Sequence, residues 1–323
     1  MRWVTYRSAV DPTPRAGLLV GDTVRAPSAD ASLRDLLAEG QTSLSAAARE
    51  ACGHPHEVLP LAQVQVLAPI PDPPSVRDFM AFEEHVVTSM GALGTSVDPV
   101  WYDQPVFYFT NPAAVIGPTE DVAVSPGSTE FDYELEIAAV IGRPGSNLTP
   151  EQAEEHIAGY TILCDWSARD LQAAEMRVGL GPAKGKDTAT SLGPYLITPD
   201  ELDPYRSGNG YDLTMSVRVN GTTYSTGNWA DLYWSFPQMI SYASRGTTLR
   251  TGDVIGSGTV GTGCILELSR VHGTNAYPWL RPGDQVEVVV EALGALHSTI
   301  RSAAVLHPLG AALTTTPTQG ERP

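Results

Sequence analysis

Phe131-Asp132-Tyr133-Glu134-Leu135-Glu136-Ile137 is the stretch on which the reading of this chain turns. Apolar residues alternate with acids at the period of a β-strand. Phe131, Tyr133, Leu135 and Ile137 therefore share one face, and Asp132, Glu134 and Glu136 the other. The pattern runs on in apolar form, so a strand is expected over 131–141. Acids two positions apart on a strand stand roughly 7 Å apart, near enough for both to reach one cation from one side. The plainer alternative is an amphipathic strand whose acidic face meets water.

Downstream, Tyr160-Thr161-Ile162-Leu163-Cys164 is nearly all apolar and reads as a buried strand. It delivers Asp165 just ahead of a helix expected over 167–177, a common place for a ligand-binding acid. On that helix Arg169 and Gln172 are three apart and face the same way. Arg offers a fork suited to a carboxylate, and Gln a donor and an acceptor. Without any ligand, Asp165 would simply cap the helix and pair with Arg169. The loop Gly179 to Asp187 then carries Lys184 and Lys186 in a chain with few lysines. It lacks the residue order of a phosphate-binding loop. Lys184 reads as solvated, although a lysine held by such a loop can point into an anionic site.

Upstream, residues 76–90 read as a helix. Asp78 and His85, seven apart, return to nearly one face of it, unless Asp78 is a plain N-cap and His85 a surface residue. Glu83 and Glu84 are expected in solvent. Late in the chain Glu267 is a lone acid in an apolar segment expected as a strand over 263–269. That placement is costly unless the acid is paired or functional.

Around these segments the chain divides by composition. Residues 1–68 read as a small α+β domain. It holds a hairpin about Gly21-Asp22 and a helical stretch from Ser32 to Ala51 broken near Gly40. Pro69, Pro71, Pro73 and Pro74 make a stiff linker into a strand-rich body spanning 69–310. Further strands are expected near 106–109, 113–116, 192–198, 213–219, 222–226, 253–257, 285–291 and 295–301. Asn220-Gly221 signals a type I′ hairpin. Thr149, Pro150 and Gln152 signal a capped helix start. Leu249-Arg250-Thr251-Gly252-Asp253-Val254 and Leu280-Arg281-Pro282-Gly283-Asp284-Gln285-Val286 read as one turn used twice before a strand. Residues 311–323 read as a flexible tail.

The 323 residues hold 20 Lys+Arg against 37 Asp+Glu, a net charge of −17. That balance argues against nucleic acid and anionic membrane as partners, since each phosphate contact needs a Lys or Arg. There is no apolar run of about 18 residues to span a bilayer. The start, MRWVTYRSAV, lacks the apolar core of a secretory signal. Cys52, Cys164 and Cys264 lie far apart and are expected as buried thiols of a reducing, cytoplasmic compartment.

The runs FDYELEIAAVIG, GYTILCDWSARDLQ, GKDTATSLGPYL, VNGTTYSTGN, TGDVIGSGT and LRPGDQVEV, in that order, resemble the fumarylacetoacetate hydrolase family over about Pro69 to His307. The resemblance implies an α+β, mostly β fold. Its catalytic body would be a mixed β-sandwich/roll with an acidic metal site at its mouth, beside a small N-terminal domain. Position by position, it implies that Glu134, Glu136 and Asp165 are divalent-metal ligands and that Asp78 is a fourth carboxylate. His85 falls on the catalytic histidine, and Glu267 on the acid that orients it. Lys186, Arg169 and Gln172 match groups around the substrate and the leaving carbanion, while Tyr108, Thr190 and Thr259 match pocket residues. A carboxylate-only set suits a hard cation, Mg²⁺ first, then Mn²⁺ or Ca²⁺.

The implied activity is hydrolysis of a carbon–carbon bond in a β-diketone or acylpyruvate-like acid, by a homodimer acting on a small anionic oxo acid. Decarboxylation, isomerisation or hydration of a 2-oxo acid on the same site is the alternative. Asp78 through His85 has the hydrolase-like arrangement. The recognition residues differ, however. Met80 stands where the hydrolases have a substrate-touching tyrosine, and Ala173, Ala174 and Met176 replace bulkier residues. One extra residue also separates Gln172 from Lys186. The pocket is therefore not expected to suit fumarylacetoacetate itself.

Overall fold

The alternating acids do not face water, because both faces of their strand are covered. The computed structural model describes residues 1–92 and 94–310, so the tail expected over 311–323 lies outside the described residues. In it Phe131–Asp132 and Leu135–Ile141 are strands, interrupted at Tyr133-Glu134. Leu135–Ile141 sits between Ile157–Asp165 and Val254–Gly256, antiparallel to both. Val254–Gly256 continues the sheet to Val76–Phe79, which it meets in parallel, and that strand pairs with Phe107–Thr110.

Leu135, Ile137, Ala139 and Ile141 point into one core together with Met215, Val217, Val286, Val288 and Leu296. These partners come from a second sheet containing Thr214–Val219, Gln285–Val290 and Gly294–Arg301. Ala138 and Val140, on the opposite face, pack against Trp3, Leu18, Leu33 and Leu44. Burial on both faces explains why these strands read as near-continuous apolar runs. Glu136 lies on the face of Ala138 and Val140, toward the strand start, and is itself buried. The protein is thus mostly β, two packed sheets with short helices at the margins, as the sequence implied.

Residues 1–68 contribute the hairpin and the two helices expected of them, Leu33–Ala38 and Gln41–Gly53, parted at Gly40. Their strands extend the main sheet: Arg2 and Trp3 of Arg2–Ser8 pair with Ile197 and Leu196 of Thr190–Ile197. The proline stretch is packed between the two parts, with Pro69 accepting a hydrogen bond from Thr5 Oγ1 and Ile70 buried.

The turn chemistry follows the sequence closely. Asn220 and Gly221 both take positive φ, 52° and 79°, as a type I′ hairpin demands. The repeated turn is built twice from the same bonds. Asp253 accepts from the Arg250 N–H at 2.8 Å, and Asp284 from the Arg281 N–H at 2.7 Å. Thr149 and Gln152 form the expected capping box.

Three expectations need correction. Residues 76–90 are not one helix: Val76–Phe79 is a strand and the helix is Glu83–Ala92. The parallel ladder to Val254–Gly256 claims the first part, so Asp78 and His85 share no helix face. Residues 263–269 are not a strand either, since Ile265–His272 is a helix ended by Gly273 at φ 91°. Its apolar face, Ile265 and Leu268, has helical spacing, and Arg270 and His272 occupy the last turn, where cations favour the dipole. Finally, Cys52 is exposed, whereas Cys164 and Cys264 are buried.

Candidate metal centre and its histidine–glutamate pair

Strand ends bring the acids together. Asp78 is the penultimate residue of Val76–Phe79, Glu134 sits in the interruption before Leu135, and Asp165 ends Ile157–Asp165. Register fixes these positions: Gly256 pairs with Asp78 and Leu135 with Cys164. Oxygen atoms of Asp78, Glu134 and Asp165 all lie within 4.8 Å of one another. Glu136 flanks this trio and accepts from Thr259 Oγ1 at 3.5 Å. Thr190, opposite Asp165 in the ladder, is buried at the same edge.

The glycine-rich run at 256–263 has a steric purpose here. A Cβ on Gly256 would lie 2.4 Å from Asp78 Oδ1, and one on Gly258 would lie 2.2 Å from the Phe79 carbonyl oxygen. Gly258, at φ 74°, also donates its N–H to Asp78 Oδ1 at 3.2 Å.

Two cations answer the acids. Lys186 is buried, donates to Glu134 Oε2 and stands 2.8 Å from Asp165 Oδ2. Arg169 reaches Glu134 Oε1 at 2.8 Å and Asp132 Oδ2 at 2.8 Å, and donates to Gln172 at 3.1 Å. The expected pairing of Asp165 with Arg169 does not form: Asp165 takes Lys186 as its partner, and Arg169 takes Asp132 and Glu134. Lys184 is 75% exposed and pairs with Asp187, as a solvated loop lysine should. The Tyr108 hydroxyl lies between Asp78 Oδ2, at 3.2 Å, and Asp165 Oδ2. Met80 is half-buried on the turn after Phe79 and accepts from Trp101 Nε1 through its carbonyl.

Burial dominates the protonation of the cluster. It raises Asp78 to about 6, helped by the charge of Glu134 and opposed by a hydrogen bond with Glu136 and by Lys186, and Asp165 to about 7, helped by Glu134 and Asp78 and opposed by Lys186. Glu136 is pushed well up by burial and by Asp78, Glu134 and Asp165. Glu134 goes the other way: burial opposes its charge, but Lys186 and Arg169 outweigh burial and pull it below the usual range. Asp165 Oδ1 and Glu136 Oε2 are buried without a hydrogen-bond partner among the described residues. Crowded, oxygen-only and partly unsatisfied, the set fits a hard divalent cation. Asp78, Glu134 and Asp165 could hold such an ion, with Glu136 alongside.

Beside this cluster is a second one. His85, on Glu83–Ala92, places Nδ1 3.0 Å from Glu267 Oε2, on Ile265–His272. They are 8% and 2% exposed. The sequence reading missed what holds this helix in place. Asp132 accepts from the N–H groups of Ile265 at 2.7 Å and Leu266 at 3.0 Å while gripping Arg169. It therefore caps the helix that carries Glu267 and ties it to the acid cluster. Its place in the alternating run was the available signal.

The match to known proteins runs along most of the chain. Residues 75–301 fit the model of the fumarylacetoacetate (FAA) hydrolase C-terminal family. Oxaloacetate tautomerase YisK of Bacillus subtilis is 31% identical over 243 residues, 74% of each chain. A crystal structure of a probable 2-hydroxyhepta-2,4-diene-1,7-dioate isomerase from Mycobacterium abscessus superposes with a TM-score of 0.70 at 27% identity, over 94% of this chain and all of that one. Maleylpyruvate hydrolase from Sphingobium sp. SYK-6, solved with manganese(II) and pyruvate, has the same fold, with a TM-score of 0.70 at 23% identity over 94% of this chain and all of that one. Among the described residues no helix is long and apolar enough to cross a membrane. The strand-borne acids, the sheet order and the matched span together establish that this chain belongs to the fumarylacetoacetate hydrolase family, an enzyme family that includes hydrolases, isomerases and tautomerases.

Proposed function

We propose that this protein is a divalent-metal-dependent hydrolase that cleaves a carbon–carbon bond in a β-diketone or acylpyruvate-like acid. The observation that carries the reading is the buried His85–Glu267 pair, 3.0 Å apart and separate from the acid trio. An imidazole held by a carboxylate is the standard arrangement of a general base, and it sits here beside a site suited to a cation. Asp78, Glu134 and Asp165, with Glu136, would hold Mg²⁺, or Mn²⁺ or Ca²⁺ in its place. When bound, the cation supplies positive charge to the substrate's carbonyl oxygens and eases the negative charge that develops on them.

The chain's own groups divide the remaining work. Glu267 fixes the imidazole through Nδ1, leaving Nε2 to take a proton from water. The water oxygen attacks one carbonyl carbon, and the bond to the neighbouring carbon breaks. Its electron pair leaves with the departing carbon, which receives a proton from the Lys186 ammonium. Carboxylates of Glu134 and Asp165 hold Lys186 charged, so it serves as an acid. Arg169 is occupied by Asp132 and Glu134, so its first duty is to orient Glu134. Gln172, Tyr108, Met80, Thr190 and Thr259 would frame the substrate.

The Bacillus relative favours a second reading, tautomerisation of a 2-oxo diacid, in which His85 takes its proton from carbon instead of water. An assay with Mg²⁺ on acylpyruvates and on enol-oxaloacetate separates the two. Hydrolysis of acylpyruvate, lost in H85A, supports the first. Enol–keto exchange with no bond cleavage replaces it with the second. The resemblance also implies a homodimer, which sedimentation equilibrium tests.

A further inference from the structure

Cys264 stands outside the chemistry above, yet its thiol lies 3.5 Å from Glu267 Oε2, the same oxygen that faces His85. Ligand atoms of His85, Cys264 and Glu267 all lie within 4.8 Å of one another, as in a metal-binding group. For a tetrahedral zinc ion, bonds of about 2.3 Å to sulfur and about 2.0 Å to nitrogen or oxygen put S···O edges at about 3.5 Å and N···O edges at about 3.3 Å. The observed edges are 3.5 and 3.0 Å.

An unsatisfied atom points the same way. Glu267 Oε1 is buried and lacks a hydrogen-bond partner among the described residues. The helix start that carries Cys264 and Glu267 is pinned by Asp132, so the donors are preset.

We propose that His85, Cys264 and Glu267 form a second metal site, selective for a soft or borderline dication such as Zn²⁺ and distinct from the carboxylate cluster. One imidazole, one thiolate and one carboxylate suit Zn²⁺, whereas Mg²⁺ prefers oxygen donors. Neutral His85 with ionised Cys264 and Glu267 balances the charge of the ion, which a buried site requires. Binding releases the Cys264 proton to solvent. Occupation removes His85 from proton transfer, so the ion inhibits; this consequence rests on the role proposed for His85, but the binding does not.

The test uses the full chain with Cys52→Ser, which removes the exposed thiol, in excess Mg²⁺, with Co²⁺ as the probe. The proposal expects a thiolate-to-cobalt charge-transfer absorption in the near ultraviolet, saturating at one equivalent per chain and displaced by Zn²⁺. Cys264→Ser and Cys264→Ala should each abolish it. They should also raise the Zn²⁺ needed to inhibit turnover by at least about tenfold, the low end of what even outer partners of a metal site contribute. No such absorption in the C52S chain overturns the site, and so does an absorption that survives either Cys264 variant. The spectrum is read without turnover, so its failure is distinguishable from failure of the hydrolase assignment.

Discussion

The two halves of the site are built on different supports. The acid trio sits at strand ends, where backbone register sets the spacing and like charges crowd together. His85 and Glu267 sit on two short helices and face each other as partners. Crowded like charges need counter-charge from outside the group, here Lys186, Arg169 and the cation the site is proposed to hold, whereas a matched pair needs none. Mutation should therefore separate ion binding from proton transfer.

The largest expected effect tests that separation. His85→Ala or Glu267→Ala should lower acylpyruvate turnover by about 10²- to 10⁴-fold, the usual worth of a positioned acid–base group. Mg²⁺ affinity measured by calorimetry should stay unchanged in both. Loss of Mg²⁺ affinity alongside turnover would show that the halves are one unit.

Asp132 is the tie between them, since it holds Arg169 and the start of the Glu267 helix. Asp132→Asn leaves a buried guanidinium short of a partner and should cost about 3 kcal/mol of stability. An unchanged midpoint and slope in urea unfolding would remove Asp132 from that role.

A pH series sharpens the electrostatic contrast. Asp78 and Asp165 are raised from the ordinary 3.8 to about 6 and about 7, so without a divalent ion the native state binds more protons than the unfolded chain between those values. Stability of the chelator-treated protein should then be highest below about pH 4 with respect to these groups, fall as pH rises from there through 6 and 7, and level off above. Mg²⁺ should raise the melting temperature more at pH 8 than at pH 5, because protons compete for the same oxygens. An equal Mg²⁺ shift at both values would contradict the raised carboxylates. The smallest effect is expected at Lys184, solvent-exposed and outside the cluster, where Lys184→Ala should change stability by less than about 0.5 kcal/mol. A larger change, or altered Mg²⁺ affinity, would mean that the loop's two lysines share one role.

Much of the site was legible because it lies on strands. Period-two alternation put Glu134 and Glu136 together, and the apolar run before Asp165 marked a buried strand end. What alternation could not show is that the acidic face is covered, because Trp3, Leu18 and Leu33 come from over a hundred residues away. The helical half was less legible. Asp78 and His85 looked like one helix because Val76–Phe79 is too short to display a period, and only its parallel partner Val254–Gly256 makes it a strand. Ile265–His272 looked like a strand because its start is capped by Asp132, 133 residues earlier, with no capping side chain of its own. Gly273 and the cations of its last turn were helix-end signals in plain view. Cys264 was passed over for the same reason: three residues from Glu267 is a neighbour on a helix and a stranger on a strand.

The central claim is that the strand-borne acids hold the cation. Mg²⁺ titration by calorimetry of the native chain and Glu134→Gln tests it most directly. The account predicts one strong site in the native chain and at least about tenfold weaker binding in the variant, since a ligand should matter no less than an outer partner does. Equal affinity in the two proteins would contradict it.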